Sequence, residues 1–249
     1  MSGFFWSKEH FLNKCGPAIQ TADGIISFKE LDAAVSSYQD FLEGLNLRNN
    51  IAFLPMQSNA ESVIRYLACL RASITPLLLP LDLDNQSKSR LQKIYRPAIL
   101  FGPSGIDDVK VLEANRLNRE LPDKLALLLS TSGSTGSPKL VRLSFDNISA
   151  NARSICQYLE VEPEDKAFCN LPLSYSFGLS VLNSHLAAGA CVYLSTLSPF
   201  DPKFYDTIVC EKISSISGVP FFYQMLFRTG FLQKEFPSLK AMTQAGGEL

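Results

Sequence analysis

Short apolar segments alternate with amphipathic ones along this chain, and the clearest case begins at residue 51. Residues 51–55 and 75–79 are apolar runs of strand length. Between them, Val63, Leu67 and Leu70 recur at helical spacing, because positions three or four apart share one face of an α-helix. Strands that alternate with amphipathic helices form βαβ units. The sequence therefore predicts an α/β fold.

The same patterns predict the other elements. Ser58 and Glu61 have the spacing of a capping box, which predicts where the first of these helices begins. The polar residues 82–90 predict a loop, and the charged residues 107–124 predict a surface connection with a helix. A further amphipathic helix is predicted over residues 148–159. The remaining predicted strands cover residues 98–101, 125–129, 141–143, 167–171, 191–194 and 213–217, with one more just before Gly246.

Charge and cysteine usage exclude several classes of function. Lys and Arg number 23 against 24 Asp and Glu, so the net charge of -1 offers no field for nucleic acid. The six cysteines form no Cys-x-x-Cys pair, so we predict no metal site and expect reduced thiols in a cytoplasmic protein. The amino terminus lacks the pattern of a secretory signal. The leucine-rich stretch 77–83 is too short for a membrane span, which needs ~20 apolar residues.

A loop rich in hydroxyls and glycine directly follows the predicted strand 125–129. Six of the eight residues from Ser130 to Ser137 carry hydroxyls and the other two are glycine, and Lys139 follows closely. Glycines let backbone N–H groups approach an anion, hydroxyls add donors, and a lysine supplies charge for a phosphate. The composition predicts a loop that binds phosphate.

Two other interpretations of this loop are less consistent with the sequence. The P-loop NTPase consensus, counted from Gly133, requires a second Gly where this chain has Pro138 and a Ser or Thr where it has Leu140, so the chain fails at both positions. A flexible Ser/Gly linker is the other alternative, but linkers are seldom flanked by buried strands.

The segment from residue 128 to Lys139 resembles the signature loop of the AMP-forming adenylate-forming superfamily. This family comprises acyl-CoA synthetases, firefly luciferase and peptide-synthetase adenylation domains. Its pattern is Thr-Ser-Gly-Ser-Thr-Gly-x-Pro-Lys-Gly, and every position from Thr131 to Lys139 agrees. Leu140 departs from the pattern, since the family usually has glycine there. Other segments resemble family elements in the same order along the chain, namely residues 26–31, 67–81, 143–151, 172–178, 218–220 and 246–248.

The resemblance implies the amino-terminal portion of the family's large domain, with mixed β-sheets layered with helices. It implies a first α/β part over residues 1–120, followed by the phosphate loop and the start of the acyl and adenine sites over 121–249. The family's downstream motifs and carboxyl-terminal domain do not occur before Leu249. We therefore expect an incomplete large domain without a catalytic residue of its own or a metal ligand. Such a chain would bind nucleotide poorly and be inactive alone.

The resemblance also implies the ligands and their residues. ATP would be bound with Mg²⁺, which would be held mainly by residues beyond this chain, and a carboxylic acid would be the second substrate. Coenzyme A or a carrier-protein thiol would accept the acyl group. The ATP phosphates would be bound by Thr131, Ser132, Gly133, Ser134, Thr135, Gly136 and Lys139. The acyl and adenine pocket would be formed by Tyr175, Phe177, Gly178, Gly218, Val219, Pro220, Gly246, Gly247 and Glu248.

Some choices stay open at this point. Amino-acid-activating members of the family carry an aspartate where this chain has Gly178, which favours a fatty or aryl acid. Aromatic residues at 175, 177 and 221–223 form either a pocket or a core, and a core is the commoner role. Three alternatives concern the protein as a whole: a fragment of a ligase, a truncated homologue that acts as a binding module, and one half of a split ligase whose missing part is a separate chain.

Overall fold

We describe the protein from a computed structural model, which covers residues 3–113, 121–130 and 140–247. Its helices are α1 (Lys8–Leu12), α2 (Phe28–Gly44), α3 (Ala60–Arg71), α4 (Asn85–Tyr95), α5 (Phe145–Tyr158), α6 (Ser176–Ala188), α7 (Pro202–Cys210) and α8 (Pro220–Arg228), with a short 3-10 helix at Phe231–Gln233. Its strands are β1 (Pro17–Thr21), β2 (Gly24–Ser27), β3 (Ile51–Pro55), β4 (Thr75–Leu79), β5 (Ile99–Phe101), β6 (Val109–Val111), β7 (Leu125–Ser130), β8 (Leu140–Ser144), β9 (Lys166–Cys169), β10 (Cys191–Leu194), β11 (Ser215–Gly218) and β12 (Ala241–Gln244).

The described strands form two six-stranded mixed sheets. Sheet I has the order β6-β5-β3-β4-β7-β8, and sheet II has the order β12-β11-β9-β10-β1-β2. The central strands of each sheet are parallel, while β6, β8 and β2 pair antiparallel at the edges. This confirms the predicted α/β class with mixed sheets. Sheet I consists of the consecutive strands β3 to β8, whereas sheet II combines β1 and β2 from near the amino terminus with β9 to β12. The division of the chain near residue 120 stays a prediction.

The helices lie in layers on both faces of both sheets. The largest apolar cluster fills the space between the sheets and includes residues of α2, α3, α5 and α6. In sheet I, Ala52 and Leu54 face this inner cluster, whereas Ile51 and Phe53 face an outer cluster with Leu91 of α4. The outer face of sheet II is covered by α7 and α8. Because successive strand residues point to opposite faces, strands covered on both faces are apolar throughout.

Most predicted elements are confirmed, and three predictions differ from the structure. The segment 107–124, predicted as a surface connection with a helix, contains β6, and its residues 114–120 lie outside the described residues. Residues 82–90 are not simply a loop, because α4 begins at Asn85 and is capped by Asp84. Only Leu91 of this helix is buried, so the apolar periodicity that reveals a helix is missing. The helix α3 is capped by Asn59 rather than by Ser58, since the Asn59 side chain accepts a hydrogen bond from the Ser62 backbone N–H.

A capping box does occur at the start of α2. The Glu30 backbone N–H donates to Ser27 Oγ over 3.2 Å, and the Ser27 backbone N–H donates to the Glu30 carboxylate over 2.9 Å. We expect Ser27→Ala to lower the free energy of unfolding by about 1 kcal/mol, because the cap is lost. Urea denaturation measures this. Ser37→Ala is the control, since Ser37 is exposed in the middle of the same helix; an equal loss in both variants would contradict the role of the cap.

Candidate functional site

The predicted phosphate loop connects two paired strands. The strands β7 and β8 are antiparallel, and the last described residue before the loop, Ser130, lies opposite the first one after it, Leu140. The strand β7 is parallel to β4, so the loop leaves from the carboxyl end of the parallel part of sheet I. All seven predicted phosphate-binding residues, from Thr131 to Lys139, lie outside the described residues.

Leu140, the departure from the family pattern, has a structural role. It is the first residue of β8, it is half-buried, and it packs against the outer cluster of sheet I that contains Leu128. A glycine there would lose this apolar contact. The loop therefore returns directly into a strand.

The predicted pocket residues lie at the carboxyl ends of parallel strands in sheet II. Tyr175 and Phe177 follow β9, Val219 and Pro220 follow β11, and Gly246 follows β12. The strands β9, β11 and β12 are adjacent and parallel. In open α/β sheets, ligands bind in the crevice beyond the carboxyl ends of the strands. The fold thus brings together segments that are far apart in sequence.

Gly246 and Gly247 lie against the segment that leaves β11. Both have positive φ, 91° and 149°. A Cβ at Gly246 would lie 3.5 Å from Val219 Cγ1, and one at Gly247 would lie 3.4 Å from Pro220 Cγ. Since L side chains rarely adopt such backbone angles, glycine suits both positions. Glu248, the next predicted residue, lies outside the described residues.

Gly178 has a packing reason to be glycine. It is buried in the first turn of α6, and a Cβ there would lie 2.5 Å from the Pro172 carbonyl oxygen and 3.0 Å from that of Leu171. A side chain at this position would therefore collide with the backbone of the preceding loop. The absence of an aspartate at residue 178 thus follows from packing and does not by itself identify the acid.

The aromatic residues divide between pocket, core and surface. Phe177 lines a cavity, Phe222 is buried in the outer cluster of sheet II, and Tyr223 packs against that cluster. Tyr223 also donates a 2.6 Å hydrogen bond to the Thr243 carbonyl, and burial raises its pKa to about 12. Phe221 is exposed. Only part of this set can contact a ligand in the cavity.

The cavity has a volume of about 600 Å³ and lies between the two sheets, beside α5 and α6. This volume is within the range of pockets for small ligands. None of its described lining residues carries a charge, and roughly half are apolar. They are Leu127, Leu129, Leu143, Asn147, Ile148, Asn151, Ser176, Phe177, Leu179, Ser180, Asn183 and Ala245.

The sequence analysis missed the contribution of α5 and of the buried face of α6. Asn183 donates a 3.2 Å hydrogen bond to the hydroxyl of Tyr66 in α3, and both side chains are buried. Burial also raises the pKa of Tyr66, which therefore stays neutral. No local signal singles out Asn183, because Ser184 and His185 follow it directly and are also polar.

Ionisable groups near the cavity are held neutral. Burial raises the pKa of the Cys169 thiol to about 12, although its sulfur lies 3.8 Å from the Leu171 carbonyl oxygen. Only the thiolate is a good nucleophile, so Cys169 is not poised for covalent chemistry at neutral pH. Burial lowers the pKa of His185, whose Nδ1 lies 2.9 Å from the Val181 carbonyl oxygen. Among the described residues, the site offers shape and hydrogen bonds rather than a catalytic acid or base.

The described residues contain neither a membrane-spanning helix nor a cluster of metal ligands. Within residues 3–113, 121–130 and 140–247, no helix has the length and apolar character to cross a bilayer. The same part of the chain holds no group of three His, Cys, Asp or Glu side chains arranged to bind a metal ion.

The chain is similar to known proteins over most of its length. A family model described as AMP-binding enzyme matches residues 98–249, more than half of the chain. A hybrid PKS-NRPS synthetase, poxE of Penicillium oxalicum, is 26% identical over 193 residues, which is 76% of this chain and 5% of that protein. The 2-succinylbenzoate–CoA ligase of Bacillus subtilis is 26% identical over 190 residues, 69% of this chain and 39% of the ligase. The chain thus spans a minor part of each relative.

Solved structures share the fold. VinN in complex with L-aspartate superposes with a TM-score of 0.84 at 19% identity, over 99% of this chain and 70% of VinN. ATP-bound MatB from Rhodopseudomonas palustris gives 0.82 at 23% identity, over 98% of this chain and 55% of MatB. MenE from Bacillus subtilis in complex with AMP gives 0.79 at 22% identity, over 98% of this chain and 68% of MenE. At these identities the likeness concerns the fold alone.

Proposed function

Since the chain belongs to the family of AMP-binding enzymes, we propose that it binds ATP and a carboxylic acid for the formation of an acyl-adenylate. In this reaction a carboxylate oxygen attacks the α-phosphorus of ATP, and pyrophosphate leaves. A thiol, on coenzyme A or a carrier protein, then takes the acyl group and AMP is released.

The position of the cavity is the observation that supports this proposal. Leu127 and Leu129 of β7 form one wall, and the same strand leads after Ser130 into the predicted phosphate loop. The amino-terminal turn of α6 forms another wall, and Ala245 borders the cavity beside Gly246. An acid whose chain fills the cavity could therefore direct its carboxylate toward a nucleotide at the carboxyl ends of the strands.

The ligand roles follow from the chemistry of the residues. The hydroxyls and glycines of residues 131–136 and the ammonium of Lys139 would bind the β- and γ-phosphates of ATP. Gly246 and Gly247 allow close approach of the adenine and acyl groups, and Glu248 would contribute there as well. Charge-assisted hydrogen bonds to phosphate contribute about 1.5–3 kcal/mol each, so several of them would determine nucleotide affinity. Mg²⁺, when bound, would neutralise charge on the phosphates.

The lining of the cavity supports a fatty or aryl acid as the substrate. No carboxylate among the described lining residues could pair with an α-ammonium group. A buried ammonium without such a partner is costly. Because packing explains Gly178, the preference for a fatty or aryl acid rests on the lining of the cavity.

The proposal includes a further polypeptide segment that completes the site, in the same chain or in a partner. The strand β12 lies at the edge of sheet II, and within the described residues its outer backbone edge has no neighbouring strand. Such an edge can pair with another strand. The side chain of Met242 on this strand is partly exposed. A segment that pairs with β12 would lie beside Gly246 and so next to the proposed ligands.

Lys139→Ala tests the nucleotide site. We expect weak but saturable binding of ATP to the 249-residue protein, and a further loss of about 10- to 100-fold in the variant, because one charged contact to phosphate is removed. Titration calorimetry with Mg-ATP measures the dissociation constants of the unchanged protein and of the variant. Lys124→Ala is the matched control, since Lys124 is exposed near the opposite end of β7.

Equal ATP affinity in the two proteins would remove Lys139 from this role. No saturable ATP binding, combined with binding of a carboxylic acid, would favour the alternative of a binding module descended from an enzyme. No binding of either ligand would contradict the proposed function.

A further inference from the structure

One buried polar atom in the cavity has no hydrogen-bond partner. Asn183 is 4% exposed and lines the cavity. Its Nδ2 is bonded to the Tyr66 hydroxyl, whereas its Oδ1 has no partner within the described parts of the chain. Buried polar side-chain atoms are nearly always hydrogen-bonded, and each exception calls for an explanation. A ligand group in the cavity would supply the missing partner.

The other polar side chains of the cavity are already accounted for. Asn147 Oδ1 accepts from the Ser144 backbone N–H over 3.0 Å, in the cap of α5. The Ser180 hydroxyl donates to the Phe177 carbonyl over 2.8 Å. Asn151 and Ser176 are exposed, so water can solvate them. Asn183 is therefore the described lining residue that combines burial with an unsatisfied atom.

The ligand group that meets Asn183 should be uncharged. No Lys, Arg, Asp or Glu is among the described lining residues, so a second carboxylate or an ammonium group there would be buried without a counterion. A hydroxyl suits an amide, because it can both donate and accept. It could pair with Asn183 whichever amide atom faces the cavity.

The spacing along α6 sets the length of the ligand. Ser176, in the first turn, borders the cavity near the carboxyl ends of the strands, and Asn183 lies seven residues further along the helix. Seven residues of α-helix rise about 10 Å. An extended eight-carbon chain with a terminal hydroxyl spans a similar length.

We propose that Asn183, supported by Tyr66, is a specificity-determining residue that selects a carboxylic acid with an uncharged hydroxyl at the far end of its chain. This inference rests on the proposed function, because it takes the cavity as the acyl site. It adds which end group the acyl chain carries and which side chain recognises it.

Three acids of matched length test the inference. Titration calorimetry of the 249-residue protein would compare 8-hydroxyoctanoate, octanoate and octanedioate. We expect 8-hydroxyoctanoate to bind about 5- to 10-fold more tightly than octanoate, the effect of one net hydrogen bond. Octanedioate should bind at least about 10-fold more weakly than 8-hydroxyoctanoate, because its second carboxylate would be buried without a counterion.

A double variant separates recognition from folding. Asn183→Leu alone would leave the Tyr66 hydroxyl buried without a partner, whereas Asn183→Leu combined with Tyr66→Phe removes both polar groups and should keep the fold. We expect the double variant to bind octanoate at least as tightly as before and to lose the preference for 8-hydroxyoctanoate. Asn85→Leu is the matched control: the same substitution at an exposed residue of α4, outside the cavity lining, should leave the preference unchanged.

The results of these titrations distinguish the role of Asn183 from the proposed function on which it rests. Equal binding of octanoate and 8-hydroxyoctanoate, tightest binding of octanedioate, or an unchanged preference in the double variant would overturn the role of Asn183 while the cavity remained an acid site. If none of the three acids bound, the cavity would not be an acid site of this kind, and the assignment of the acyl site would fail together with the inference.

Discussion

Replacing Arg71 with methionine is expected to lower the free energy of unfolding by about 3–5 kcal/mol, the cost of breaking a buried ion pair by removing one partner. Arg71 Nη2 lies 2.7 Å from Asp32 Oδ1, and both side chains are at most 7% exposed. The guanidinium also donates to the Trp6 carbonyl over 2.6 Å and to Ser36 Oγ over 3.1 Å. The Arg71 side chain thus connects α3 with α2 and with the segment before α1.

The loss of stability in Arg71→Met should arise mainly from the carboxylate of Asp32, which would stay buried without a counterion. Combining Arg71→Met with Asp32→Leu should therefore restore most of the lost stability, because a buried ion pair can often be replaced by apolar residues of similar size. Urea denaturation of the three proteins measures this. Glu162→Gln is the control: Glu162 pairs with Lys240 over 3.1 Å, both side chains are more than half exposed, and the loss of stability should be much smaller. Equal losses for the buried and the exposed pair would contradict the argument.

Gly178→Ala should lower the free energy of unfolding more than Gly44→Ala does. The added methyl group would meet the Pro172 carbonyl oxygen at 2.5 Å, so α6 and the preceding loop would have to separate. Overpacking of this kind costs about 1–3 kcal/mol. Gly44→Ala should be neutral or stabilising, because a Cβ there would meet nothing within 4 Å and alanine favours a helix.

Gly178→Asp extends the same test to substrate selection. We expect a larger loss of stability than in Gly178→Ala, since a carboxylate would be buried against backbone carbonyls. We also expect no binding of an α-amino acid to be gained, because residue 178 faces the loop and is not among the cavity lining. Denaturation and calorimetric titration measure the two effects. A stable variant that binds an amino acid would show that a side chain at residue 178 can reach the acyl site.

Several elements were predictable because their signals are local. The strands at 51–55, 75–79 and 191–194 have the predicted bounds, since continuous apolar runs indicate strands covered on both faces. The helix α4 was not predictable in this way, because its single buried residue leaves no periodic pattern. The pairing of β1 with β10 was not predictable either, because residues near β1 in the chain do not indicate which distant strand becomes its neighbour.

In the candidate site too, features with local signals were predictable and those that depend on tertiary contacts were not. The hydroxyl-rich loop after β7 and the order of the family segments were evident from composition and spacing, and the family match confirms the resemblance. Phe177 lines the cavity, and its role in an acyl pocket stays a prediction, whereas Phe222 belongs to the core. Asn183 was missed because its importance comes from burial and from a partner 117 residues away in the chain.

The sequence by itself determined the α/β class, the strand that leads into the hydroxyl-rich loop and the family, because each depends on residue types that are near one another in the chain. Tertiary structure alone decided that β1 and β2 join sheet II, that Gly178 is packed against a loop, and that Asn183 meets Tyr66 in the wall of a cavity. The first and third features depend on contacts between segments far apart in sequence, and the second depends on the path of the loop before α6. The free energy of such contacts comes from burial and pairing in the folded chain, and no local pattern of residues records it.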